Sequence, residues 1–301
     1  MTQEITPEWI AVDWGTTNLR AYAMRGAEIL ARAESCDGMG KLDKDSFEPA
    51  FLRLIEPWSN AASAPVVACG MVGSRQGWVE APYRAVPCTP LSNTLTQAHS
   101  MTGLMVSVIS GLSQASPADV MRGEETQIAG FLALNPGWDG VLCMPGTHTK
   151  WVHLSAGEVV SFQTFMTGEL FDLISNASVL RHSVHGGDWD SEAFSKAVSD
   201  AISAPEKLAG HLFSLRAQDL LAGTSPDTTR ATLSGTLIGA ELSAARPYWL
   251  GQNTAIMGMG RQAQAYEAAL RDQGAFPALV DAERATVAGL TAAYRLQKDI
   301  T

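Results

Sequence analysis

The stretch Trp9-Ile10-Ala11-Val12-Asp13-Trp14-Gly15-Thr16-Thr17-Asn18-Leu19-Arg20 constrains this chain more than any other. An apolar strand delivers an acid to a glycine–threonine turn, and a second strand follows with Leu19, Ala21 and Ala23 in alternation. Such a turn suits phosphate. Glycine lets the backbone come close to an anion, successive N–H groups form an anion-binding nest, and an aspartate at the strand end can hold a hard cation such as Mg²⁺. Taken alone, the same residues make a β-hairpin with a polar turn.

The chain makes this construction twice. Val141-Leu142-Cys143-Met144 runs into Pro145-Gly146-Thr147-His148-Thr149 and continues as Lys150-Trp151-Val152-His153-Leu154. The interval from Gly146 to Gly157 equals that from Gly15 to Gly26, so Thr16 aligns with Thr147 and the strands at 28–34 and 159–165 correspond. A repeat of strand, turn, strand, hairpin and strand predicts two related lobes, each offering a phosphate turn to a shared cleft.

Strands and helices alternate throughout, so the class is α/β. The 301 residues leave room for two full cores, and Asn135-Pro136-Gly137 is a strong break. The expected division is therefore 1–136 and 137–301. In the first part an amphipathic helix carries Phe47, Phe51, Leu54, Ile55 and Trp58, and a buried strand at 65–69 ends in Gly70-Met71-Val72-Gly73. An irregular stretch at 74–102, with Pro82, Pro87 and Pro90, reads as functional or disordered. A strand at 104–110, a Ser/Pro loop and a helix from Gly123 to about Leu134 complete it. The second part predicts a helix bearing Met166, Leu170, Leu173 and Ile174, and another capped by Ser191. Further helices lie at 208–215 and around Leu233, Leu237 and Leu242. After a strand at 254–257, one helix closes at Gly274 and a last one is capped by Asp281.

The net charge of -10 argues against a nucleic-acid surface. No apolar run approaches a membrane-spanning helix, and Met1-Thr2-Gln3-Glu4 does not resemble a signal peptide. Cys36, Cys69, Cys88 and Cys143 are scattered without a Cys-x-x-Cys pair, as expected of core thiols in a reducing cytoplasm. The expected partner is a small molecule; a homo-oligomer stays open.

Several constellations compete for the chemistry. Gly258-x-Gly260-x-x-Ala263, with Asp281 about twenty residues on, fits the dinucleotide fingerprint of a Rossmann oxidoreductase. Too little chain follows to complete that fold, and a glycine-rich turn at a helix start equally seats an adenosine or its phosphates. No G-x-x-x-x-G-K-[ST] occurs. Asp119-Val120-Met121-Arg122-Gly123-Glu124-Glu125-Thr126-Gln127 gathers three acids and an arginine about a helix start. They either stabilise that terminus or place a general base near a substrate hydroxyl. Arg75, beside Gln76 and Trp78, is suited to grip a carboxylate. Thr167-Gly168-Glu169 caps a helix or contacts substrate, and His148 is a donor beside the second turn. His182-x-x-His185 lacks acidic or cysteine partners and reads as surface or packing.

The duplicated turn resembles the sugar kinase/Hsp70/actin superfamily. More closely, the chain resembles the 2-dehydro-3-deoxygalactonokinase family, through Val12–Thr17, Gly70–Trp78, Asp119–Gln127, Met144–Trp151, Met166–Phe171 and Leu237–Glu241. Val72 and Thr149 depart from that pattern. The resemblance implies two actin/hexokinase-like lobes with an ATP cleft, and Mg²⁺-assisted phosphorylation of a sugar acid's 6-hydroxyl. It implies phosphate contacts from Asp13, Gly15, Thr16 and Thr17, with Asp13 the metal ligand, and from Gly146, Thr147, His148 and Lys150. Gly235, Gly239, Gly258 and Gly260 would line the adenosine side of the second lobe. The sugar-acid site would lie in the first, with Arg75 or Arg122 on the carboxylate and Glu124, Glu125 or Asp119 as base. A kinase of a related 2-keto-3-deoxy sugar acid, a non-catalytic sugar sensor or a phosphohydrolase on the same fold, and a Rossmann dehydrogenase, are the alternatives.

Overall fold

In the computed structural model, which describes residues 4–185 and 187–298, the repeat folds as two sheets of matching topology. The chain forms β1 (Trp9–Trp14), β2 (Leu19–Arg25), β3 (Glu28–Ser35), α1 (Phe47–Ile55), β4 (Val66–Gly70), β5 (Tyr83–Ala85), β6 (Thr96–Gln97) and β7 (Val106–Val108). It continues through β8 (Gly111–Ala115), β9 (Ala118–Met121), α2 (Glu124–Leu134), β10 (Gly140–Met144), β11 (Thr149–Ser155), β12 (Glu158–Phe165), α3 (Thr167–Ala177) and α4 (Ser191–Ser203). The last elements are α5 (Leu208–Ala222), α6 (Pro226–Ala244), α7 (Arg246–Trp249), β13 (Thr254–Met257), α8 (Arg261–Asp272), β14 (Ala278–Val280) and α9 (Ala282–Lys298).

The first sheet runs β3-β2-β1-β4-β7-β6 and the second β12-β11-β10-β13-β14. In the first, β1 pairs antiparallel with β2 and parallel with β4, and β4 runs parallel to β7. The second repeats the pattern with β10 antiparallel to β11, parallel to β13, and β13 parallel to β14. Gly26 and Gly157 both take positive φ at the corresponding hairpins, a region that glycine enters without steric cost.

The two-residue period of a strand decides what each side chain meets. On β1, Ile10, Val12 and Trp14 pack with Phe47, Phe51 and Ile55 of α1. Trp9 and Ala11 face the other way, with Val67 and Cys69 of β4, Ala129 of α2 and Leu290 and Tyr294 of α9. Trp9 stacks on Tyr294 at 4.3 Å. Asp13 continues this second row and so emerges on the α2 side at the strand's C-terminal end. In the other sheet Val141, Cys143 and Trp151 pack with Phe194 and Val198 of α4, Ile238 and Leu242 of α6, and Tyr266 and Leu270 of α8.

Two compact units result: residues 1–138, 155–161 and 282–301, and residues 139–154 and 162–281. Beside the expected division into 1–136 and 137–301, the first unit also takes in residues 155–161 and the last helix. Helices α9 and α2 meet backbone to backbone: a Cβ on Gly130 would fall 1.8 Å from the Ala285 carbonyl oxygen, and one on Gly289 1.9 Å from that of Thr126. Periodicity marks α9 as amphipathic but does not say which unit buries it.

Other boundaries shift for local reasons. The expected Ser/Pro loop after 110 is a hairpin, in which Leu112 pairs with Met121 and Ala115 with Ala118, in a three-stranded sheet with β5. Helix α4 is capped by Asp190, whose side chain accepts from Ala193 N–H at 3.0 Å, with Ser191 already inside. Helix α5 extends to Ala222, well past Leu215. The irregular stretch at 74–102 carries β5 and β6, and its end is fixed by Glu48. Among the described residues no helix is long and apolar enough to cross a membrane, and all four cysteines are free thiols.

The buried Glu48 carboxylate accepts from Ser100 Oγ at 2.7 Å, Met101 N–H at 2.8 Å, Thr102 N–H at 2.9 Å and the Thr102 hydroxyl. Burial raises its pKa, but these hydrogen bonds outweigh burial and bring it down to about 2. The folded carboxyl thus titrates below its ordinary value of 4.5. Its contribution to stability is complete above that value and is lost as pH falls toward 2. The denaturant midpoint of Glu48→Gln should therefore lie below wild type at neutral pH, with the gap closing through acid titration.

Candidate active site

In the first unit, the C-terminal ends of the parallel strands β1 and β4 and the start of α2 come together. Asp13 and Cys69 are paired in register, and Cys69 Sγ lies 4.0 Å from Asp13 Oδ1. Arg20, the cross-strand partner of Asp13, places Nη1 3.3 Å from Oδ2. Burial pushes the Asp13 carboxyl above its ordinary range, and Arg20 pulls the other way. A Cβ on Gly123 would lie 3.3 Å from Gly70 Cα, so α2 begins directly against the end of β4.

The turn between β1 and β2 is closed by Gly15 N–H on the Asn18 carbonyl at 2.9 Å. Its own carbonyls are occupied from behind. Met39 N–H donates to Gly15 O at 3.0 Å, Gly40 N–H to Thr16 O at 2.9 Å and Gly38 N–H to Thr17 O at 3.1 Å. Gly38 lies so close that a Cβ there would fall 2.2 Å from the Thr17 carbonyl carbon. Gly15 itself is not crowded: the nearest atom to an added Cβ would be 3.7 Å away. Thr16 and Thr17 are exposed.

The turn between β10 and β11 is supported in the same way by different elements. Glu169 N–H, in the first turn of α3, donates to Thr147 O at 2.9 Å, and Gln262 Nε2 of α8 donates to Gly146 O at 2.9 Å. Gly168 takes the place of Gly38, since a Cβ on it would fall 2.2 Å from Gly146 O. Gly146, like Gly15, has room for a side chain, with its nearest neighbour 3.8 Å away. His148 Nε2 and Glu169 Oε2 are 2.5 Å apart, so these two expected ligand contacts engage each other. Lys150 is buried on β11, with Nζ donating to Thr164 Oγ1 at 3.2 Å.

The acids around α2 separate. Glu125 is fully buried and accepts from Gly123 N–H at 2.7 Å and Thr126 Oγ1 at 3.1 Å. Burial, reinforced by the neighbouring Glu124, pushes its carboxyl up to about 8. Glu124 keeps contact with solvent and accepts from Arg122 N–H at 3.1 Å. Asp119 is not at the helix start: it sits on β9 opposite Gln114, near the hairpin end, and accepts from Val120 N–H. A strand separates it from the cluster.

The basic and aromatic candidates also divide. Arg75 is exposed, 3.4 Å from Glu80, and Gln76 is exposed beside it. Trp78 is packed against Trp14 and Phe47, and its indole N–H donates to His99 O at 3.0 Å. It is half-buried at the edge of that core. Arg122 is buried, stacked 4.3 Å over Tyr83, with Nη2 donating to Ala81 O at 2.7 Å. Its Nε and Nη1 have no partner, and the buried Ser74 hydroxyl is also unpaired.

In the second unit a pocket of about 390 Å³ adjoins the second turn and the start of α8, lined in part by Gly146, Thr147, Phe171, Trp189, Arg230 and Arg261. Gly260 caps α8 with open space around it, and Gly258 N–H is held by Val280 O at 2.7 Å. Gly235 and Gly239 do not line this pocket. Added Cβ atoms would lie 2.4 Å from Phe194 O and 2.6 Å from Val198 O, so these glycines are required by the crossing of α4 and α6. Thr167 turns its hydroxyl to the buried Glu241. Sequence reasoning missed Phe171, Trp189 and Arg230, whose only signal was an aromatic or a cation on an otherwise ordinary helix or loop. The Gly258–Gly260 turn is not a Rossmann fingerprint either, because β13 lies between β10 and β14 in a mixed sheet.

A family model described as 2-keto-3-deoxy-galactonokinase matches residues 13–293. The chain is 39% identical over 296 residues to a Rhizobium meliloti (strain 1021) protein assigned as a 2-dehydro-3-deoxygalactonokinase, covering 95% of this chain and 96% of that one. It is 34% identical over 289 residues to the 2-dehydro-3-deoxygalactonokinase of Escherichia coli (strain K12), covering 95% and 97%. A crystal structure from Sinorhizobium meliloti, assigned to the same activity, superposes with a TM-score of 0.89 at 38% identity over 95% of this chain and 98% of that one. The duplicated sheet is accordingly of the actin/hexokinase type, and the chain belongs to the 2-keto-3-deoxy-galactonokinase family.

Proposed function

We propose that this protein transfers the γ-phosphoryl group of ATP to the 6-hydroxyl of 2-dehydro-3-deoxygalactonate, as a cytoplasmic enzyme of galactonate breakdown. One observation carries the reading of the turns. Gly15 and Gly146 have ordinary φ and room for a Cβ, so the protein itself does not require glycine at either place. A phosphate approaching the backbone does. The pocket beside the second turn has the apolar and aromatic walls expected of a nucleoside site.

Asp13 offers one carboxylate for Mg²⁺, and no group of three potential ligands occurs among the described residues. That fits an ion held by one carboxylate together with phosphate oxygens and water. When bound, Mg²⁺ would offset charge on the phosphates. Glu124, at the start of α2 and in contact with solvent, is the group we assign to accept the hydroxyl proton. Glu125 behind it holds the helix start and is mostly protonated at neutral pH. Arg122, a buried cation with unpaired nitrogens, is assigned to the substrate carboxylate in preference to the solvated Arg75.

These assignments have distinct signatures. Gly15→Ala and Gly146→Ala should melt within a few degrees of wild type yet lose ADP binding by calorimetry, whereas Gly168→Ala should lower the melting temperature outright. Glu124→Gln should reduce kcat by about two to four orders of magnitude with ADP affinity unchanged. Glu125→Gln should retain most of kcat at pH 7. Wild type loses stability as pH rises from about 4.5 to about 8, because only its unfolded state releases the proton there. The stability of Glu125→Gln relative to wild type should therefore increase over that range. Arg122→Met should raise KM for the sugar acid with KM for ATP unchanged, and Arg75→Met should change neither. ADP release with ATP and Mg²⁺ across a panel of 2-keto-3-deoxy sugar acids tests the activity itself.

A further inference from the structure

Glu241, on α6, contributes nothing to the turns or to the reacting groups described above, yet every support of the second turn leads to it. It is 3% exposed. Oε1 accepts from Trp151 Nε1 at 2.7 Å, and Oε2 accepts from Tyr266 Oη at 2.6 Å and from the Thr167 hydroxyl. Each donor belongs to a different element around Gly146-Thr147-His148. Thr167 begins α3, whose next two residues carry that turn: Gly168 lies against Gly146 O, and Glu169 N–H holds Thr147 O. Tyr266 is on α8, one helical turn beyond Gln262, which holds Gly146 O. Its hydroxyl also lies 3.0 Å from Oγ1 of Thr149, the first residue after the turn. Trp151 follows on the same strand.

A buried carboxylate is costly without donors and strongly bound with them. Here the three donors fix the spacing of β11, α3 and α8 about one point. The turn's own contacts to α3 and α8, which are the bonds from Glu169 N–H and Gln262 Nε2 and the His148–Glu169 side-chain contact, hold the turn only where those helices stand. We infer that Glu241 is a positioning residue for nucleotide phosphate: it sets the geometry of the second turn through Thr167, Tyr266 and Trp151 without touching the ligand. This role rests on the proposed reading of that turn as a phosphate contact.

The test is Glu241→Gln, which keeps the volume but replaces one carboxylate oxygen by a donor. The readouts are ADP affinity by calorimetry and KM for each substrate. ADP affinity should fall about tenfold, the scale of a single charged hydrogen bond. KM for ATP should rise in parallel, with KM for the sugar acid unchanged. Thr167→Val and Tyr266→Phe each remove one donor and should shift ADP affinity the same way by less. Combining either with Glu241→Gln should cost less than the sum. If Glu241→Gln does not fold, Trp151→Phe, which removes the donor that lies outside the pocket lining, carries the same test. ADP affinity within twofold of wild type overturns the role, as does an equal rise in both KM values, which is what general loosening of the fold would give. Wild type is titrated alongside: failure of wild type to bind ADP would overturn the phosphate reading itself, whereas wild-type binding with unchanged variants would overturn only the role of Glu241.

Discussion

The structure depends on how the two glycine–threonine turns are held from behind. A turn that presents N–H groups to an anion must have its carbonyls taken up elsewhere, because an unpaired oxygen lining the same site would repel phosphate. In the first unit Gly38–Gly40 supply that pairing through their N–H groups. In the second, Glu169 N–H and Gln262 Nε2 do so. Both solutions need a glycine pressed against the turn, Gly38 or Gly168, where a Cβ would meet backbone at 2.2 Å. The glycines inside the turns are spared such crowding, so the packing requirement for glycine lies at Gly38 and Gly168 and not at Gly15 or Gly146.

The two units share this construction but differ in charge. The first carries an acid at its strand end, with Arg20 opposite and the start of α2 alongside. At the corresponding place the second has Met144, beside a partly aromatic pocket that also carries Arg230 and Arg261. A buried carboxylate of the second unit, Glu241, lies behind the turn and joins three elements. Duplication thus supplies the same backbone twice, and the side chains then specialise it.

Much of this is legible in the chain. Equal spacing of Gly15–Gly26 and Gly146–Gly157 required equal hairpins, and the sheets have them. The strand at Thr254–Met257 has the expected bounds. The rest was not legible because a residue's type does not say which neighbour it meets. Gly235 and Gly239 looked like ligand-facing glycines and instead admit α4. Trp78 is close to Arg75 in the chain, but its ring packs beside Trp14 while Arg75 is exposed. Asp119 is close to Glu124 in sequence, but extended backbone carries it away.

Periodicity and repeat alone determined the α/β class, the duplicated sheet and the two turns, because these depend on local spacing and on the fixed geometry of strands. Only the tertiary structure distinguished Glu124 from Glu125. They are adjacent and chemically identical in the chain, but packing of α2 against β4 and α9 leaves one in contact with water and removes it entirely from the other. The same applies to Arg122, to Glu241 and to the placement of α9 in the first unit. Each is decided by desolvation and by partners distant in sequence, neither of which a local pattern records.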